Sequence, residues 1–143
     1  MRWADILNGD VRHLRVGKSG VASDVGPLPV QLALGVGAGA TLYSSTVYEA
    51  SGVVKATSGT LVSISGYNSL GSTQFIQLHN AAAVPANTTV PVVFFSVPAS
   101  SNFSFDFPLT GLPFTTGIVV CNSSTGPTKT MGAADCFFTV VYI

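Results

Sequence analysis

From Gln31 to the C-terminus the apolar and polar side chains follow a period of two and show almost no helical period of 3.6. In residues 102–107, Phe103, Phe105 and Phe107 point to one side and Ser104 and Asp106 to the other, as in a half-buried strand. The same alternation sets Ile76 and Leu78 against Gln77 and His79, and sets Leu61, Ser63 and Ser65 against Val62 and Ile64. Two runs, 90–97 (VPVVFFSV) and 136–143 (CFFTVVYI), are apolar on both faces and are expected at the centre of a sheet or beneath an interface. Further strands are predicted over 41–49, 52–57 and 117–121.

Turn-forming clusters separate these runs: GYNSLGST at 66–73, PANTTVP at 85–91, PASSN at 98–102 and NSSTGPTKTMGAAD at 122–135. About eight short strands with such connections predict an all-β fold, an antiparallel β-sandwich of jelly-roll type, with a closed barrel as the alternative. Only residues 3–8 suit a helical turn. The glycine-rich GVGAGA at 35–40 lacks the Gly-Lys-Ser/Thr that ends a phosphate-binding loop, and reads as a turn or bulge before the strand at 41.

Charge divides the chain. Residues 1–24 hold Arg2, Asp5, Asp10, Arg12, Arg15, Lys18 and Asp24, and the remainder only Glu49, Lys55, Asp106, Lys129 and Asp135. Residues 1–29 are therefore read as an N-terminal arm and linker, ending in the Gly/Ser/Pro-rich GKSGVASDVGPLP, and 30–143 as the β-sandwich domain. The arm also carries the single tryptophan, Trp3. It is either a segment that orders on a partner or a disordered or locally packed terminus.

Apolar residues make up 47% of the chain and charged residues 8%, against about 25% charged in an ordinary soluble protein. With so little charge to cover it, much of the surface is expected to meet other protein, which makes the chain an assembly component. The net charge of zero argues against nucleic acid as a partner, and the longest apolar stretch, Pro29 to Tyr43, is interrupted by Gln31, Gly35, Gly37 and Gly39, so no membrane span is expected. Charges occupy the place where a signal peptide has its apolar segment, which suggests assembly in a cytoplasm.

No catalytic residues, cofactor or metal are expected. His13 and His79 stand in different segments without the acidic or thiol neighbours of a metal site or a triad, and His79 is assigned to the solvent side of its strand. Cys121 and Cys136 are either a possible disulfide across a hairpin or, in a reducing compartment, two buried thiols. Tyr43, Tyr48 and Tyr67 are candidates for stacking on a sugar, or simply tyrosines packed at strand edges with wet hydroxyls.

Over residues 53–142, GVVKATSGTLVSISGYN, STQFIQLHNAAAVPA, VPVVFFSVPASSNFSFDFP and TTGIVVCNSSTGPTKTMGAADCFFTVVY together resemble a family of short virion structural proteins of tailed bacteriophages. The resemblance implies a β-sandwich used in capsid cement or decoration proteins and in pieces of fibres and neck appendages, with no catalytic residues to carry over. A single module with one charged arm favours the cement role: the arm, with Trp3 as anchor and Arg2, Arg12, Arg15 and Lys18 as charged contacts, is expected to lie on the major capsid protein. A homotrimer at threefold points of the capsid surface is the oligomer guessed. A fibre, neck or baseplate component, or a host-glycan-binding module of the same virion, is the alternative.

Overall fold

The computed structural model describes residues 39–107 and 110–143, which belong to the compact unit Gly39–Ile143. The arm and linker of 1–29, the helical turn at 3–8 and the sandwich boundary at residue 30 lie outside the described residues. The described residues form nine strands: β1 (Thr41–Ser44), β2 (Ser51–Lys55), β3 (Gly59–Asn68), β4 (Gln74–Asn80), β5 (Val93–Val97), β6 (Ser101–Asp106), β7 (Leu112–Phe114), β8 (Ile118–Ser123) and β9 (Cys136–Tyr142).

The pairing is that of one long hairpin rolled on itself. β4 pairs β5 near the tip, β3 pairs β6, β2 pairs β8 and β1 pairs β9, all antiparallel. Rolling then brings β9 beside β3 and β8 beside β4. Two sheets result, ordered β1-β9-β3-β6 with β7 on β3, and β2-β8-β4-β5. This is a jelly roll, two sheets rather than a closed barrel.

The sheets bury a shared core. Leu61, Ile64, Phe103, Phe138 and Val140 come from the first sheet, and Val54, Ile76, Leu78, Val97, Ile118 and Val120 from the second. β6 keeps the predicted alternation, with Phe103 buried, Phe105 half-buried, and Ser104 and Asp106 exposed. Phe105 stacks on Phe95 of the opposite sheet at 3.8 Å between centroids, interplanar 13°, so the two sheets meet through offset aromatic faces as well as through aliphatic contact.

Several strands depart from their expected form for physical reasons. Leu61 and Ile64 both enter the core, although strict alternation puts them on opposite faces. The β3–β9 register shifts between Leu61 and Ser63, where two steps on β3 face one on β9, and this bulge at Val62 reverses the parity. The strand expected over 41–49 ends at Ser44, because Glu49 Oε2 accepts hydrogen bonds from Tyr43 Oη (2.7 Å) and Ser45 Oγ (2.9 Å), folding 45–49 into a turn. Glu49 rejoins the sheet only as an isolated bridge to Cys136. β7 was unforeseen, its short run containing Pro113. Within the 90–97 run, β5 is an edge strand and not a central one, whereas β9 is central as expected. Gly39, in the turn before β1, has φ 96°, the left-handed conformation that glycine adopts without a Cβ penalty.

Candidate interaction surfaces

The outer face of the second sheet is where the fold spends its polar side chains. Gln77 and His79 on β4 face outward beside Cys121 and Val119 on β8, their cross-strand partners. The expectation that His79 faces solvent is overturned: it is 2% exposed and Gln77 is fully buried. The β8–β9 connection folds back over them, and Gln77 Nε2 donates to the carbonyl oxygens of Thr125 (2.8 Å), Gly126 (2.9 Å) and Thr128 (3.2 Å). A glutamine that reads as solvent-facing is thus the fastener of a loop that also has to satisfy its own backbone.

Lys129 joins this loop to the β4–β5 connection. It is buried, and its Nζ donates to Pro85 O at 2.6 Å and lies 3.5 Å from Asn87 Oδ1. Its backbone N donates to Thr89 O (2.9 Å) and its carbonyl accepts from Thr88 N (2.7 Å). The ammonium is therefore held by neutral oxygens rather than by a carboxylate. Burial, and secondarily the charge of Lys129, holds the His79 imidazole below the usual histidine range. Its Nε2 lies 3.2 Å from Gln77 Oε1, while Nδ1 is buried without a hydrogen-bond partner.

This has a pH signature. The unfolded chain takes up a proton at His79 near pH 6.5, while the folded chain resists it. Stability owed to the neutral imidazole is complete above pH 6.5 and is lost as pH falls from there to the lowered folded pKa. Urea midpoints measured at pH 7.5 and 5.5 are expected to drop for the native chain and to drop less for His79→Gln; equal drops would refute the assignment.

The end of the sandwich carrying the β3–β4, β5–β6 and β8–β9 turns is closed by side-chain amides. Asn68 Nδ2 donates to Ser72 O (3.1 Å) and Pro98 O (2.9 Å), and its Oδ1 accepts from Leu70 N (3.0 Å). Asn122 Nδ2 donates to Ala133 O at 3.0 Å. The stretches 66–73 and 122–135 are thus tied to the body rather than held out as free loops.

The two cysteines sit in different sheets, Cys121 in β8 and Cys136 in β9, and both thiols are free and buried. The hairpin geometry imagined for a disulfide is absent, since β8 and β9 are not paired. Burial pushes Cys121 up to about 11, with Lys129 acting weakly the other way, and burial together with Asp135 pushes Cys136 up to about 12. Both are protonated thiols at neutral pH, which makes them weak nucleophiles.

Of the three tyrosines, Tyr43 is half-buried and donates to Glu49, and burial and that contact push its pKa up to about 12. Tyr48 is 43% exposed and packs on Phe137 at 4.1 Å between centroids. Tyr67 is half-buried on β3. The structure does not bring the three into a described common site. Arg2, Trp3, Arg12, Arg15 and Lys18, the expected capsid contacts, lie outside the described residues.

What composition pointed to without locating is the exposed apolar surface. Val90 (70% exposed), Val92 (51%) and Phe94 (43%) run along the β5 margin, with Val84 in the loop before it, while Leu42, Val47 and Tyr48 lie on and just after β1. Between Gly39 and Ile143 only Glu49, Lys55, Asp106, Lys129 and Asp135 are charged, and Lys129 is buried. Among the described residues no group of three or more His, Cys, Asp or Glu is placed to hold a metal ion.

No family model and no curated protein matches this chain. Among solved structures, the coat protein of tobacco streak virus is similar, at a TM-score of 0.37 and 12% identity, over 72% of this chain and 85% of that one.

Proposed function

We propose that this chain is a structural protein of a virion, and more specifically a cement or decoration protein on the capsid surface of a tailed phage. The observation that carries the reading is the surface of the sandwich: a jelly roll whose few charges include one that is buried, while Leu42, Val47, Val90, Val92 and Phe94 stand in solvent. Apolar surface with so little charge around it is suited to being covered by protein. A cement needs no reaction. It binds the assembled major capsid protein lattice in preference to free subunits, and so stabilises the shell by mass action. In this reading Trp3 supplies an apolar anchor and Arg2, Arg12, Arg15 and Lys18 the charged contacts, and the sandwich is repeated about the threefold points as a homotrimer.

Quantitative mass spectrometry of purified particles tests the reading. A copy number commensurate with the major capsid protein is expected. A few copies per particle indicate a fibre, neck or baseplate part, and absence from particles refutes a virion role. Deleting residues 1–20 is expected to abolish binding to expanded heads; unchanged affinity would remove the arm from the mechanism. A host-glycan-binding module is the second reading, favoured by the exposed ring of Tyr48 on Phe137, and glycan-array binding without head association would select it.

A further inference from the structure

We propose that the free edge of β5 is a homotypic docking edge, on which a second copy of this chain lays its own β5 antiparallel, so that the second sheet continues from one molecule into the next. This goes beyond the virion reading, because the partner is inferred from the chain's own edge and a twofold pairing is not required by a cement role.

β5 ends the order β2-β8-β4-β5, so one side of its backbone has no strand partner among the described residues. Exposed edges are ordinarily blunted by charge, proline, bulges or brevity. The other three edges show such devices. β1 is four residues long, β2 carries Lys55 and a register shift between Val53 and Lys55, and β6 carries the exposed Asp106. β5 has none. Its five residues are VFFSV, its register with β4 runs without a shift from Gln74↔Val97 to Leu78↔Val93, and no Asp, Glu, Lys or Arg occurs between Lys55 and Asp106.

Beside this backbone lies an apolar strip at alternate positions, Val90, Val92 and Phe94. It is supported from within the molecule: Phe94 meets Phe75 edge-on at 6.2 Å, and the backbone of Gly126 packs so near both rings that a Cβ there would lie 2.9 Å from Phe94 and 3.1 Å from Phe75. The strip is a formed surface, and its shape selects the occupant. An added strand must be extended to use the backbone edge and apolar on one side to cover the valines and Phe94. It must also be free of charge, because a charged side chain pressed on this patch finds no counter-ion in 56–105 and is desolvated uncompensated. β5 of a second copy meets all three requirements, and a twofold axis makes the contact self-complementary.

The patch is small. A stable interface buries about 800 Å² per partner, which two valines, one phenylalanine and a five-residue edge do not reach. The pairing is therefore weak between free molecules and gains strength only when other contacts hold the copies together.

The full-length chain is expected to sediment as a monomer at about 1 µM and to shift toward dimer by about 500 µM. Amide exchange over 93–97 is expected to slow with concentration while that over 101–106 stays constant. Phe94→Lys and Phe94→Glu are each expected to stay monomeric, because like charges then share one uncharged interface, and an equimolar mixture of the two is expected to associate again, because opposite charges do. Val92→Lys with Val92→Glu repeats the test should the Phe94 variants fail to fold. A chain that is monomeric at the highest concentration, self-association that survives the lysine variants, or protection appearing at β1 instead would overturn the proposal. None of these readings involves particles, so failure here is separable from failure of the virion role, which copy number decides.

Discussion

Lys129→Ala is expected to destabilise the protein by about 3 kcal/mol and to lower its melting temperature by more than about 10 °C. Three effects compete. Removing the buried stem leaves a cavity, which for a side chain of this length costs about 2–5 kcal/mol. Pro85 O loses its 2.6 Å donor, and a buried acceptor left unsatisfied costs about 1–3 kcal/mol. Against these, the ammonium no longer has to be kept out of water with only neutral oxygens around it, a relief of similar size to either loss taken alone. The first two together outweigh the third. Lys129→Met separates them: it keeps most of the volume and sets the relieved desolvation against the stranded carbonyl, so a stability within about 1 kcal/mol of the native chain is expected. Thermal and urea unfolding of both variants check the order. Amide exchange adds the location, since residues 81–92 and 124–131, joined through Lys129, are expected to open before the strands do. An alanine variant that melts within 2 °C of the native chain, by about the scatter of such measurements, would show that the lysine does not hold the two connections together.

The same lysine shows where sequence reasoning stops. The alternation of Phe103, Phe105 and Phe107 against Ser104 and Asp106 is visible in the chain because β6 has one wet face and one dry face. β4 has two dry faces, one of them roofed by connections that arrive from positions 81–92 and 124–135. Gln77, His79 and Lys129 are polar, so a pattern of two assigns the first two to water and a charge inventory assigns the third to the surface. Nothing local reports that distant carbonyls will return to meet them.

β5 shows a second limit. An apolar run on both faces marks a strand that is either central or covered by an interface, and VPVVFFSV, which has that mark, ends its sheet. β9, with the same mark, is central. The difference is set by the order in which the hairpin rolls up, which no five-residue window contains. The bulge at Val62 is equally silent, since an inserted residue changes parity without changing composition. The scarcity of charge, by contrast, was legible from the first and survives in the structure as exposed valines and phenylalanine. Its consequence for partners is what the copy-number and self-association experiments decide.

Gly66→Ala is expected to have the largest effect of any single methyl group added to this protein. Gly66 lies in β3, at the centre of the first sheet, opposite Phe103 on β6 and Phe138 on β9. A Cβ there would run into the backbone oxygen of Phe137 and come within 2.6 Å of the Phe103 ring. A ring can rotate or shift by a few tenths of an ångström, but a carbonyl locked in a sheet cannot move without β9 moving too. Overpacking in a well-packed core usually costs about 1–3 kcal/mol and more where backbone must give way, so a loss of about 4 kcal/mol is expected here. Against a total stability of about 5–15 kcal/mol for a domain of this kind, that leaves a chain that is marginally folded and poorly soluble. The two collisions are distinguishable by a double-mutant cycle with Phe103→Leu. If the ring were the main obstacle, trimming it would recover much of the loss. The Phe137 oxygen is the closer neighbour, so the two substitutions are expected to add to within about 0.5 kcal/mol. Strong recovery in the double variant would mean that the aromatic packing, and not the spacing of β3 and β9, requires glycine at this position.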